Sequence, residues 1–231
     1  MLDVAFTAAQ ARPAAVTVVI DVLRATSTIV QALDAGYRRV LCAPDLEHAR
    51  GLAGPDRVLA GERHCVRPPG FDLGNSPAQT LPPRGRELVL ATTNGAPAIV
   101  RAAELSEVVL IAALLNLDAV VAALAGVEDL QLLCSGTDGR PALEDAYAAG
   151  RIADRLAGEH SDSARICLAV ASTYPDARGA LAASADALVL VREGLGDDIE
   201  WCARESTVDL APRAHGLHDG TAAVDRSSSI D

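Results

Sequence analysis

The chain contains no lysine: all 20 basic residues among its 231 are arginine. Schiff-base chemistry and a catalytic ammonium group are therefore excluded. Aromatic residues are scarce too, 3% of the chain against 50% hydrophobic. The core must then be built of Ala, Val and Leu, which suits buried strands covered by Ala-rich helices. The five cysteines, at 42, 65, 134, 167 and 202, include no C-x-x-C pair. Their odd number and wide spacing argue against a disulfide framework. The opening MLDVAF lacks the basic flank of a signal peptide, so the expectation is a reducing, cytoplasmic setting. Positive charge is in deficit, with a formal net charge of -11. Such a field argues against nucleic-acid or anionic-membrane partners. An anionic ligand would need local arginines or a bound cation to overcome it.

One apolar stretch, VVLIAALLNLDAVVAALAGV at 108–127, is long enough to span a bilayer. Asp118 near its centre would cost roughly 2.5–3.5 kcal/mol there. A strand ending near Ala113, followed by a helix capped by Asn116, carries no such cost and is the reading adopted.

Short runs rich in Val, Leu and Ile recur at Val16–Ile20, Arg39–Cys42, Arg57–Ala60, Leu88–Ala91, Val108–Ala112 and Leu130–Cys134. They read as strands buried on both faces. Helical patterns at about 26–35, 45–53, 96–104 and 117–125 separate most of them. This alternation predicts an α/β fold: three layers, a mostly parallel sheet with helices on both faces. Further helices are expected at about 142–157 and 178–193. Residues 1–213 form a single domain in this reading. The remainder, 214–231, has little to bury and is expected to be a mobile tail.

Ligands of open α/β sheets collect beyond the carboxyl ends of strands, and the unusual residues fall there. DVLRATST follows the first of these runs, with Asp21 and Arg24 at the start of a helix. GERHCVRPPGFDLGNSP follows the third and holds Glu62, Arg63, Asp72, Asn75 and Ser76. Its prolines and glycines argue for an ordered loop, and His64 within it reads as a surface histidine. TTNGAPA supplies Thr93 and Asn94, the fifth run leads to Asn116, and CSGTDGRPALED supplies Gly136, Glu144 and Asp145.

In that last loop Cys134 and Arg140 have the C-x5-R spacing of a cysteine phosphatase, but chance alone gives about 0.4 such matches in this composition. Two carboxylates at the start of the next helix would repel phosphate unless a divalent cation lay between them, and Mg²⁺ prefers such oxygen ligands. The carboxylates tilt the reading toward metal.

Taken in order, DVLRATST, AGER with GFDLGNSP, TTNGAPA, CSGTDGRPALEDAYAAG and DDIEWC resemble the 2-phosphosulfolactate phosphatase family from about Asp21 to Pro212. The resemblance implies a magnesium-dependent hydrolase of α/β fold. Its reaction would convert 2-phospho-3-sulfolactate to 3-sulfolactate and phosphate, in sulfonate and coenzyme M metabolism. Its site residues would be Asp21, Arg24, Glu62, Arg63, Asp72, Asn75, Ser76, Thr93, Asn94, Asn116, Gly136, Glu144 and Asp145. On this reading Mg²⁺ is held by carboxylates drawn from Asp21, Glu62, Glu144 and Asp145. Asp21, Arg24, Glu62 and Asp145 carry the chemistry, and Arg24 and Arg63 neutralise the phosphate and the sulfonate. The partner is a small phosphorylated anion, and a homodimer is left open. Three rivals remain: a phosphatase of related 2-phospho-hydroxy acids, a metal-independent Cys134 enzyme, and a non-catalytic binder of anionic metabolites.

Overall fold

The computed structural model describes residues 1–226 and places nine strands in one sheet. Its strands are β1 (Leu2–Ala5), β2 (Val16–Ile20), β3 (Arg39–Cys42), β4 (Arg57–Gly61), β5 (Glu87–Ala91), β6 (Val108–Ala112), β7 (Leu130–Cys134), β8 (Arg213–His218) and β9 (Thr221–Asp225). Their spatial order is β1-β7-β2-β6-β8-β9-β3-β5-β4. All six apolar runs read from the sequence are strands. β1, β7, β2 and β6 pair in parallel, as do β3, β5 and β4. Most of the sheet is thus parallel, and each run is buried because crossover helices cover both faces.

The described helices are α1 (Ala25–Ala35), α2 (Leu46–Gly51), α3 (Gly95–Leu105), α4 (Leu117–Ala123), α5 (Leu143–Ala153), α6 (Asp162–Thr173), α7 (Ala177–Ala182), α8 (Ala185–Arg192) and α9 (Asp197–Cys202). Strand alternation sorts the core into two faces. Val16, Val18 and Ile20 of β2 pack with Leu117, Tyr147, Ile152 and Leu190 from α4, α5 and α8. Val19 points the other way, into a core with Ile29 and Leu33 of α1 and Ile99 of α3. The three-layer architecture follows from that alternation.

Two expectations are corrected. The expected tail is not without structure as far as it is described: β8 and β9 form a hairpin that lies between β6 and β3, β8 antiparallel to β6 and β9 antiparallel to β3. It fills the gap between the two parallel runs, and Ala214, Ala222 and Val224 are buried there. Residues 227–231 of the expected tail lie outside the described residues. The helical stretch at 178–193 is two helices. Ser184 interrupts it, and its side chain accepts the Ala187 N–H at 3.0 Å to cap α8. The apolar stretch at 108–127 is β6 followed by α4, and no helix of the described residues is long and apolar enough to cross a membrane.

The hairpin matters for the site. Three antiparallel steps reverse the strand direction between β6 and β3. Five pairings separate β2 from β5, and a twist of roughly 20–25° per pairing turns the strands by about 100–125°. A twist of that size lets the carboxyl ends of the two parallel runs approach one another. The carboxyl ends of β2, β4, β5 and β7 meet at one corner, around a single cavity.

Candidate active site

Asp21 ends β2, and hydroxyls of the next helix hold the loop that follows. Thr26 Oγ1 accepts the Asp21 N–H at 3.0 Å and donates to the Asp21 carbonyl at 2.8 Å, while Ser27 donates to the Val22 carbonyl at 2.8 Å. The carboxylate is thereby aimed along the start of α1, where Oδ1 accepts the Ala25 N–H at 2.9 Å. Its other oxygen faces Gly95, the first residue of α3. A Cβ there would stand 2.3 Å from Asp21 Oδ2 and 2.4 Å from the Ala25 methyl. Only glycine allows α3 to approach the carboxylate so closely.

Glu62 follows β4 and is fixed by two backbone donors, Thr93 N–H to Oε1 at 2.6 Å and Cys65 N–H to Oε2 at 3.0 Å. Both carboxylates line a cavity of about 190 Å³ with Arg24, Asn75, Thr93 and Asn94. That volume lies below the usual ~300–1,000 Å³ of ligand pockets, so it suits a very small molecule. Two oxygens in it have no partner although both are buried: Asn75 Oδ1 and Thr93 Oγ1. An unpartnered buried oxygen is costly, so these two atoms are available to bind a ligand.

Beneath Asp21 lies Asp145, from the first turn of α5. It accepts Val22 N–H at 2.9 Å on Oδ1, and Gly136 N–H at 3.1 Å and the Ser135 hydroxyl at 3.3 Å on Oδ2. The Ser135 hydroxyl also lies near enough to the Asp21 carboxylate to favour its ionised form. Gly136 can turn here because its φ is +62°, and a Cβ would meet the Arg140 carbonyl at 2.3 Å. Burial pushes Asp21 up to about 6, against the hydrogen bonds from Ala25 and Ser135 and assisted by the charges of Glu62 and Asp186. Burial and the neighbouring carboxylates push Glu144 and Asp145 well above the ordinary range.

The other candidates separate into groups. Arg24 and Asp198 form a buried ion pair at 2.6 Å, and Ser76 donates to the second Asp198 oxygen at 2.6 Å. The pair ties α9 to the loops after β2 and β4. Arg24 lines the cavity, but its charge is already matched. Arg63 is not among the cavity-lining residues, and its guanidinium donates to the Glu62 carbonyl at 3.3 Å. Asp72 accepts the Leu59 N–H at 2.8 Å and pins the long loop beside β4. Asn116 lies outside the cavity. Its amide accepts the Ala113 N–H and donates to the Ile111 and Leu210 carbonyls, holding the chain that enters β8 against β6. Glu144 lines a neighbouring groove with Asp186, and its Oε2 is unpartnered.

The Cys134 nucleophile fails on geometry. The thiol is wholly buried among the apolar residues under β7, and burial with nearby carboxylates raises it well above a reactive value. Its would-be partner Arg140 is exposed and lines the neighbouring groove.

Sequence reasoning did not single out Ser135, Thr92, Thr137, Asp138 and Asp186, of which all but Ser135 line the cavity. Asp138 had a signal, since Asp-Gly is a tight-turn pair. Asp186 had none: it reaches the site from α8, far along the chain.

No three His, Cys, Asp or Glu side chains among the described residues are grouped as a ready metal-binding cluster. The oxygen donors that line the cavity include the carboxylates of Asp21 and Glu62, with those of Asp138 and Asp186, and the oxygens of Asn75 and Thr93. That all-oxygen set fits Mg²⁺, which commonly takes one or two carboxylates and fills its remaining positions with water and substrate phosphate.

Comparison with known proteins adds a family context. The model of the 2-phosphosulpholactate phosphatase family matches residues 4–216. A protein of Thermus thermophilus named probable 2-phosphosulfolactate phosphatase is 41% identical over 209 residues, covering 87% of this chain and 88% of its own. Proteins of the same name from Deinococcus radiodurans and Thermotoga maritima are 42% and 37% identical. The first alignment covers 85% of this chain and 86% of the relative, the second 92% and 94%.

Proposed function

This chain belongs to the 2-phosphosulpholactate phosphatase family, and from that premise we propose that it hydrolyses 2-phospho-3-sulfolactate to 3-sulfolactate and phosphate with Mg²⁺. The reaction would serve sulfonate metabolism of the coenzyme M type, in the cytoplasm. The observation that carries the reading is the meeting of Asp21 and Glu62 with the unpartnered oxygens of Asn75 and Thr93 in one small cavity.

Water attacks phosphorus in line with the ester oxygen. The P–O ester bond breaks, and the bridging oxygen leaves with the bonding electron pair and takes a proton from solvent water to become the hydroxyl of sulfolactate. Asp21 accepts the proton of the attacking water. Burial makes this carboxylate more basic than an exposed one, which favours uptake of a proton. Asp145 holds the backbone next to Asp21 by accepting the Val22 N–H, and Ser135 and Gly136 fix Asp145 in turn. Glu62, pinned by two backbone N–H groups, cannot swing away from the phosphate site. Asp21, Glu62, Asn75 and Thr93 would hold Mg²⁺, which would supply charge compensation for the phosphate. The start of α3 at Gly95 adds the positive end of a helix dipole.

The test is release of inorganic phosphate from 2-phosphosulfolactate by the purified protein, with Mg²⁺ and after chelation. Release that stops on chelation and returns with Mg²⁺ supports the proposal. Equal release with and without chelator removes the metal from it, and no release in any metal removes the substrate.

A further inference from the structure

We infer that His64 sets the substrate specificity of this site, binding from the cavity rim the anionic group that the substrate carries besides its phosphate. The inference rests on the proposed phosphatase reaction and concerns which phosphate esters the site prefers. The carboxylates of Asp21, Glu62, Asp138 and Asp186 all line the cavity, an unwelcoming wall for a second anion. Arg24 and His64 are the lining residues with guanidinium or imidazole N–H donors, and Arg24 is spent on Asp198. Arg63, which the sequence offered for this task, does not line the cavity. His64 remains.

Its position is built into the backbone. Arg63 and Val66 exchange both backbone hydrogen bonds, at 3.0 and 3.1 Å, so His64 and Cys65 are the two central residues of a tight hairpin turn. Both have positive φ, 51° and 65°. Asn and Gly usually fill such positions because other side chains are strained there. The turn is also fastened to the reaction centre, since the Cys65 N–H donates to Glu62 Oε2 at 3.0 Å. A turn at positive φ that carries His64 and Cys65, is locked to Glu62 and lines the cavity points to a task that Asn-Gly could not perform. Recognition of an anion by the imidazole is that task. His64 is exposed at the rim, where it meets the part of the ligand that projects outward while the phosphate sits deep.

The test compares three substrates: 2-phosphosulfolactate, 2-phospholactate, which keeps the carboxylate and lacks the sulfonate, and phenyl phosphate, which has neither. His64→Gly and His64→Asn tolerate the turn's backbone and remove the imidazole, and His64→Arg supplies a guanidinium N–H donor in its place. The glycine and asparagine variants are expected to raise KM for 2-phosphosulfolactate about three- to tenfold, with kcat within about twofold. That range lies between the effects of an exposed ion pair and of a desolvated charged hydrogen bond. Phenyl phosphate should be unaffected, and arginine should recover most of the loss. A matching rise for 2-phospholactate assigns the contact to the carboxylate, and its absence assigns it to the sulfonate. An equal loss on phenyl phosphate, or no change on any substrate, overturns the inference. If the unsubstituted protein does not favour the anionic esters over phenyl phosphate, the substrate reading fails first. If it does favour them and His64→Gly keeps the preference, the role of His64 alone is refuted.

Discussion

Replacing Asp21 with asparagine should stabilise the protein while disabling it. Burial lifts this carboxyl from 3.8 to about 6, which corresponds to about 3 kcal/mol against the ionised form. The folded state holds this proton more tightly than the unfolded chain. The contribution is therefore fully present below pH 3.8 and lost as pH rises through about 6. At pH 8 the unsubstituted fold carries a buried anion that Asp21→Asn lacks. The amide keeps the acceptor for the Ala25 N–H, and its NH₂ can donate to the Ser135 hydroxyl. The variant should thus be more stable at pH 8 by about 1–3 kcal/mol, or roughly 3–10 °C in Tm for a chain of this length. The advantage should vanish near pH 4, where both side chains are neutral. Paired thermal melts at pH 4, 6 and 8 in metal-free buffer measure it, with phosphate release followed in parallel. Added Mg²⁺ should favour the unsubstituted protein and narrow the gap. A stability difference of the same size at all three pH values would refute the reasoning, as would full activity in the variant.

Other substitutions separate the parts of the site. Cys134→Ser should retain activity within a few-fold, because the thiol is buried away from the cavity; an inactive, fully folded serine variant would restore the cysteine mechanism. Gly95→Ala places a methyl against Asp21 Oδ2 and the Ala25 Cβ; kcat should fall at least about tenfold with a smaller change in KM, as expected for a misplaced reacting group. Asp198→Ala leaves Arg24 buried without its partner; unfolding in urea should show a loss of about 3–5 kcal/mol, whereas a loss under 1 kcal/mol would mean the pair does not organise the loops.

Most of the sheet was legible because its strands are buried on both faces: Val16–Ile20 and Leu130–Cys134 are apolar at nearly every position, which no amphipathic helix of that length would be. β8 and β9 were missed for the opposite reason. AHGLHDGTAAVD has few large apolar residues, and much of β8 is exposed, so no run stands out. Yet Asp219 and Gly220, both at positive φ between His218 and Thr221, are the Asp-Gly pair that marks a two-residue hairpin. The strand-end loops pointed to Asp21, Glu62, Asn75, Thr93 and Asn94, all of which reach the cavity or its floor. What position along the chain could not tell is which polar residue is spent on the fold. Asn116 and Asp72 satisfy backbone groups, and Arg24 answers a carboxylate 174 residues away. Only the packing of α8 and α9 against the strand ends brings Asp186 and Asp198 in.

The account stands most directly on Glu62, the carboxylate that joins the long loop, the Thr93 turn and the cavity. Phosphate release from 2-phosphosulfolactate in Mg²⁺ should be compared between the unsubstituted protein and Glu62→Gln, with folding of both verified by thermal unfolding. The expected result is Mg²⁺-dependent turnover to equimolar sulfolactate and phosphate, with kcat/KM lower by about 100-fold or more in the glutamine variant. A folded glutamine variant that keeps full activity would contradict the account, because the reaction would then lie elsewhere on the molecule.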